Sequence, residues 1–474
     1  MEIHPLAILA IGIAIVVGLI VRFKVNAFVA LILAATAVSL LAPVNPSEVE
    51  PGAQIIRMAK AFGATAGNIG IVIAMAALIG KCMMDSGAAD RIVRTFLSAM
   101  GEKRSGTALA TSGFVLSIPV FFDTVFYLLV PLARSLFRST RKNYLKYVLA
   151  ISAGAAVTHT VVPPTPGPLL VAEQLNVDVG MMILMGLAVG FPAACMGLLC
   201  ASWMDKNMDI QPSLQLDDED SEDNQAVDES KLPGLIPALI PIVLPVLMIS
   251  VNTITKQLAK SAGLADVFGF NLQAFAIDLA PYTGLFGNPN FALMTSAAFA
   301  VLLYLNQCQP SRDKFAAMME DGLMSAGVII LITAAGGAFG GMLKVAQVGP
   351  AIQDMFTSGE TQTGLMLLPF VFGVSALLKF AQGSTTVAVI TTSGMMAAML
   401  GDTQLPFHPV YLATAIGGGG LIGSWMNDSG FWIFSKMGGL TEKEGLQTWT
   451  PLLIVLGIVS MAMTLVLATV MPLT

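Results

Sequence analysis

The sequence is short of charge. Only 11% of its 474 residues are Asp, Glu, Lys or Arg, against about 25% in ordinary soluble domains. Histidine occurs three times, at His4, His159 and His408, too scattered for the paired-histidine motif of a zinc protease. The four cysteines, Cys82, Cys195, Cys200 and Cys308, show no C-x-x-C spacing. Three lie in apolar stretches and Cys308 just past one, where cysteine acts as a small buried hydrophobe, so neither a disulfide framework nor a metal cluster is indicated. A phosphate-binding G-x-x-x-x-G-K-[ST] loop is missing, which argues against direct ATP drive. No motif calls for a cofactor or for a catalytic, enzymatic role.

What the chain has instead is apolar mass. Hydrophobic residues make up 55% of it, and the mean hydropathy is +0.78. A soluble globule of this size cannot hide so much apolar surface. A soluble enzyme, a disordered chain and a nucleic-acid binder are thereby excluded, and the lipid bilayer is the expected solvent. The first apolar run starts at Pro5 without a basic leader or a small-residue cleavage site, and reads as a membrane helix rather than a signal peptide.

A helix needs about 20 apolar residues to cross the hydrocarbon core. Ten crossings are expected at 5–22, 26–43, 63–84, 144–165, 178–203, 233–252, 288–306, 322–345, 408–428 and 448–471. Two further runs, 105–133 and 364–400, carry polar breaks at Pro119–Thr124 and Gln382–Thr386, and read as re-entrant hairpins. This layout puts seventeen of the 24 Lys and Arg on one side. Only Arg57, Lys60, Lys256, Lys260 and Lys344 fall on the other, with Lys81 and Lys379 inside spans. The asymmetry is that of the positive-inside rule, with both termini outside and residues 205–232 in the cytoplasm of a cell with this protein in its inner membrane. Ten of the 30 acids lie between Asp205 and Lys231, so this segment reads as a mobile acidic linker without a core.

The halves resemble each other. Gly154 and Gly167 recur as Gly417 and Gly430, 263 residues on, and the two hairpins stand at nearly the same offset. Five crossings and a hairpin in each of 1–204 and 233–474, with broken helices at 144–168 and 408–430, predict two inverted repeats. This is an all-α polytopic membrane fold of the kind secondary transporters use, with the site near the midplane.

Ionisable and polar groups at membrane depth usually have work or a partner. Asp123, between Phe122 and Thr124 at the first hairpin tip, reads as a proton carrier or as a helix cap. The second tip, Gln382-Gly383-Ser384-Thr385-Thr386, reads as an anion site at a helix N-terminus or as small residues packing between helices. Lys379 serves either a substrate carboxylate or an internal acid. His159 opens a stretch, Pro163-Pro164-Thr165-Pro166-Gly167-Pro168, that cannot continue a helix. It relays a proton or is a hydrogen-bonded structural histidine. Asn427 and Asp428 supply acceptors for a cation, a proton or substrate hydroxyls, unless Asp428 is simply solvated at a helix end. Lys81 and Asp85, four apart, read as an internal pair.

At Ile118–Asp123, His159–Pro168, Ala381–Ala388 and Ser424–Trp432 the chain resembles the gluconate permease family, the gluconate:proton symporters of the ion-transporter superfamily. The resemblance spans nearly the whole chain. It implies proton-coupled uptake of gluconate or a related small hydroxylated monocarboxylate, by an elevator-like motion in a homodimer. On that reading Ser384, Thr385 and Lys379 meet the carboxylate, Thr165 and Asn427 meet hydroxyls, and Asp123 with His159 or Asp428 carries the proton. Members often carry Glu at the position of Asp123 and His at that of Thr165. The alternatives are a sodium-coupled symporter of the same fold, and a channel or a non-transporting membrane sensor.

Overall fold

The computed structural model describes residues 4–43, 52–101, 104–208, 210, 232–260, 272–348, 351, 363–400, 405–426 and 428–473. All regular structure among them is helical. The helices are α1 (Pro5–Val17, continued by a π-helical turn Gly18–Arg22), α2 (Ala27–Leu41), α3 (Ala53–Asp85), α4 (Ala88–Met100), α5 (Ser105–Leu116) and α6 (Phe122–Thr140). Then come α7 (Tyr144–Val161), α8 (Pro166–Gln174), α9 (Val179–Asn207), α10 (Leu235–Lys260), α11 (Leu272–Phe286) and α12 (Pro289–Cys308). The last six are α13 (Arg312–Val345), α14 (Thr363–Gln382), α15 (Thr385–Leu400), α16 (Val410–Gly419), α17 (Ser429–Met437) and α18 (Glu442–Val470).

Local chemistry sets the ends of these helices. Asp178 starts α9 by accepting from the N–H groups of Gly180 and Met181. Asn288 caps α12, whose first residue is Pro289, where a missing N–H costs nothing. Thr441 and Glu444 form a reciprocal capping box at α18.

Seven helical runs are long and apolar enough to cross a membrane: α3, α7 with α8, α9, α10, α12, α13 and α18. Shorter apolar helices (α1, α2, α5, α14, α15, α16) fill in between them. The apolar runs 105–133 and 364–400 are interrupted where their polar residues fall, at 117–121 and 383–384. The run 408–428 is not one helix: α16 stops at Gly419, and turns lead on to α17. Neither α4 nor α11 overlaps an expected span. α4 is too polar to read as a span, yet it buries Ala89, Ile92 and Val93 on one face. α11 contains Pro281 and leaves Phe275, Ile277 and Tyr282 on the outer surface. Most of the acidic segment 205–232 lies outside the described residues.

Packing sorts the helices into two groups. α3 lies along α13, and both meet α2 or α12, while α10 joins α11 and α12. In the other group α5 packs on α7, α7 on α9, α9 on α18, α15 on α8, and α16 on α14 and α18. The groups meet chiefly where α13 crosses α15 and where α10 touches α4 and α9. Lipid gives helices little hydrophobic reason to associate, so close approach through small residues substitutes for it. A methyl on Gly154 would strike the Ala110 carbonyl of α5, and one on Gly186 the Val161 carbonyl of α7. Gly417 sits in the same way against Thr160 and Val161.

Gly154→Ala is therefore expected to push α5 from α7 and to lower the thermal midpoint in detergent, by about 1–3 kcal/mol of overpacking. Gly63→Ala on α3, where a methyl meets open space, should not lower the midpoint.

Candidate functional site

Four helices begin at the centre of the molecule, each just after a break. α6 starts after the Ser117–Phe121 turn, where Pro119 supplies no N–H. α15 starts after Gly383, whose φ of +84° is a conformation that glycine adopts without strain. Ser384 then caps α15, its hydroxyl accepting from the Val387 N–H at 3.3 Å. α8 starts at Pro166, directly after Thr165. α17 starts at Asp428, whose Oδ1 accepts from the Gly430 N–H at 3.1 Å. A helix start leaves its first N–H groups without intrahelical acceptors and carries a partial positive charge.

Two cavities meet these ends. The larger, about 300 Å³, is lined by Phe121, Phe122, Asp123 and Thr124 of the α6 tip and by Ser384, Thr386 and Val387 of the α15 tip. His159, Pro166, Ala27, Ile329 and Ile332 complete it. Its volume is at the lower end for small-molecule sites, about 300–1,000 Å³. The smaller, about 140 Å³, shares Phe122, Asp123, His159, Ser384 and Thr386. It extends to Thr160, Thr385, Leu421, Asp428, Ser429, Gly430 and Trp449.

Asp123 is half-buried on both cavity walls. It is the second residue of α6, not its cap, and no described residue gives it a hydrogen bond or an ion pair. His159 stands beside it, ring edge against the Phe121 ring at 5.9 Å, and its Nδ1 is buried without a partner among the described residues.

Lys379 and Asp428 pair with each other. Lys379 is fully buried, and its Nζ is 2.7 Å from Asp428 Oδ2. The same ammonium donates to the Gly383 carbonyl. Ser424 donates to Asp428 Oδ2, and the Trp449 Nε1–H donates to the Ser424 hydroxyl at 2.7 Å. The Trp449 ring lies 5.2 Å from that of Phe122. One chain of contacts thus joins the start of α15, the start of α17, the first turns of α18 and the α6 tip. Asp428 is not solvated at a helix end, and Lys379 serves an internal acid.

Thr165 and Gly167 line neither cavity. The Thr165 hydroxyl donates to the carbonyls of His159 and Val162, both at 2.8 Å, closing the end of α7. Gly167 lets α8 approach Val389 of α15. Asn427 and the Gln382 side chain lie outside the described residues. Lys81 and Asp85 pair at 3.2 Å, away from the site. Trp449 was missed: it looked like part of an ordinary span, although a buried indole N–H needs an acceptor. Thr160, Ile329 and Ile332 gave no signal in sequence.

Residues 4–470 match the family described as GntP family permease. Inner membrane permease YgbN of Escherichia coli K12 is 31% identical over 459 residues, covering 95% of this chain and 96% of that one. The low-affinity gluconate transporter of the same organism is 30% identical over 461 residues, covering 96% of each. The crystal structure of the Alcanivorax borkumensis YdaH transporter has the same fold, with a TM-score of 0.62 at 12% identity over 94% of this chain and 98% of that one. With its apolar helices and a family match along nearly its whole length, the chain is a multi-pass membrane permease and belongs to the GntP family.

Proposed function

We propose that this permease imports gluconate or a related hydroxylated monocarboxylate together with protons. One observation carries the reading: two helix starts and one unpartnered carboxylate, Asp123, face the same cavity. The substrate carboxylate takes the free N–H groups at the start of α15, with the hydroxyls of Ser384, Thr385 and Thr386 beside them. The hydroxylated tail lies toward Thr124 and His159. Lys379 is neutralised by Asp428 and shapes the site rather than binding the anion. The name of the gluconate-transporting relative supports the substrate class.

Coupling follows from charge. Ionised Asp123 repels a substrate carboxylate in a cavity of low polarity, and a proton on Asp123 removes the repulsion. Each ligand then favours binding of the other, by the same factor. Cargo and proton therefore load and leave together, with His159 as the neighbouring relay.

The fold reading extends this. α9 and α18 each have 29 residues and lie 263 apart; α8 and α17, with nine residues each, lie 263 apart as well. We read residues 1–204 and 233–474 as inverted repeats, α5–α6 and α14–α15 as re-entrant hairpins, and the group holding α5–α9 and α14–α18 as the part that moves, elevator-like, within a homodimer. Both termini then face outward and the 205–232 segment the cytoplasm of the inner membrane.

Asp123→Asn should abolish gluconate accumulation driven by a pH gradient in proteoliposomes while leaving gluconate counterflow. Sodium-dependent uptake of the wild type that ignores the pH gradient would instead mean sodium coupling. Ser384→Ala should weaken gluconate binding about 5-fold, the worth of one hydrogen bond of about 1 kcal/mol, read by ligand-dependent thermal shift. Lys379→Met leaves a buried acid unpaired and should destabilise the protein by about 3–5 kcal/mol; Lys379→Met with Asp428→Asn should recover part of the lost melting temperature.

A further inference from the structure

Glu173 stands on α8, seven residues beyond Pro166, and lines neither cavity. Its Oε1 accepts a hydrogen bond from Asn68 Nδ2 at 2.8 Å, reaching from one helix group to α3 of the other. Its Oε2 is buried and has no hydrogen-bond partner among the described residues.

The depth of this contact can be read along α3. Thr65 lies against Gly337, and Gly70 against Ile330, so Asn68 is level with the part of α13 that includes Ile332. Ile332 lines the larger cavity. Glu173 therefore meets α3 at the depth of the substrate site, not at a membrane face.

No cation offsets it. The helices packed on α8 are α3, α7, α9, α13, α15 and α16. α15 has no ionisable side chain, and α16 has only Tyr411, which donates to the Met471 carbonyl. His159 of α7 faces the cavities. The charges of α9, Asp205 and Lys206, are at its far end. On α3 the nearest charge, Lys60, is eight residues from Asn68, about 12 Å along the helix. On α13, Lys344 is in the last turn, and the other charges are near the opposite end. Asp178, in the turn after α8, is taken up by the start of α9, Thr253 and Lys256. Asn68 is thus the one described hydrogen-bond partner of the Glu173 carboxyl, and it is neutral.

An ionised carboxylate with one neutral donor and a bare buried oxygen is costly at this depth. A neutral acid suits the geometry: Oε1 accepts from Asn68 and the proton resides on Oε2. We infer that Glu173 is a second proton-binding group of the transport cycle, separate from the substrate cavity and held neutral by the burial of its Oε2. The inference rests on the proton-symport reading. Asn68 lies on an open face of α3, where Gly63 and Gly67 have no close neighbours. Glu173 is half-buried and its bond to Asn68 is exposed, but when α8 leaves α3 its buried Oε2 also meets water, and the proton can depart.

The test is the number of protons carried per gluconate, from the reversal potential of uptake in proteoliposomes, with the pH profile of the rate. Glu173→Gln should still accumulate gluconate, with one proton fewer per molecule. Asn68→Leu, on the open face of α3, should fold normally and displace the pH profile. Unchanged proton count and pH profile in both variants overturn the inference. If Glu173→Gln does not fold, an unchanged profile in Asn68→Leu overturns it alone. A wild type that ignores the pH gradient overturns the symport reading, and this inference with it.

Discussion

Backbone N–H groups at membrane depth have no water to turn to, and this constraint organises the centre of the molecule. Each of four helices starts there, beside one of two adjoining cavities, and each start carries donors that must find an acceptor. Protein groups meet only part of the demand. Ser384 and Asp428 cap α15 and α17, while the remaining first-turn donors of α6 and α15 border the cavities. A centre built this way has a positive potential without a free cationic side chain.

The buried charges fit that potential. Lys379 and Asp428 cancel, and in doing so fasten α14 to α17, with Ser424 and Trp449 extending the tie to α18. Asp123 is left as the carboxylate with no described partner between the two cavities. The fixed pair holds the shape of the centre, and the unpaired acid stands on the walls of the same cavities.

Much of this was legible in sequence, for a physical reason. Polar residues and prolines inside apolar runs are so costly in lipid that they mark helix breaks, and the interruptions at 117–121 and 383–384 fall where Pro119 and Gly383 stand. The Lys81–Asp85 pair followed from four-residue spacing. Other features depend on contacts between distant segments. Thr165 looked like a ligand for hydroxyls because its own partners, the carbonyls at the end of α7, become reachable only once the chain turns at Pro163–Pro164. Lys379 could not be assigned because Asp428 is 49 residues away in sequence. Trp449 gave no sign of its place against Phe122, since a tryptophan near the start of an apolar run is also usual at a membrane surface.

The donors bordering the cavities at the starts of α6 and α15 belong to the main chain. Genetic change replaces side chains and leaves peptide groups where they are. Under the proposed function, an acid head held by such groups keeps its partners through almost any drift in sequence, whereas the walls formed by Thr124, Ile329 and Ile332 can be recast one codon at a time. On that reading, a lineage built on this plan can diversify over tail lengths and hydroxyl patterns while its grip on a carboxylate stays fixed.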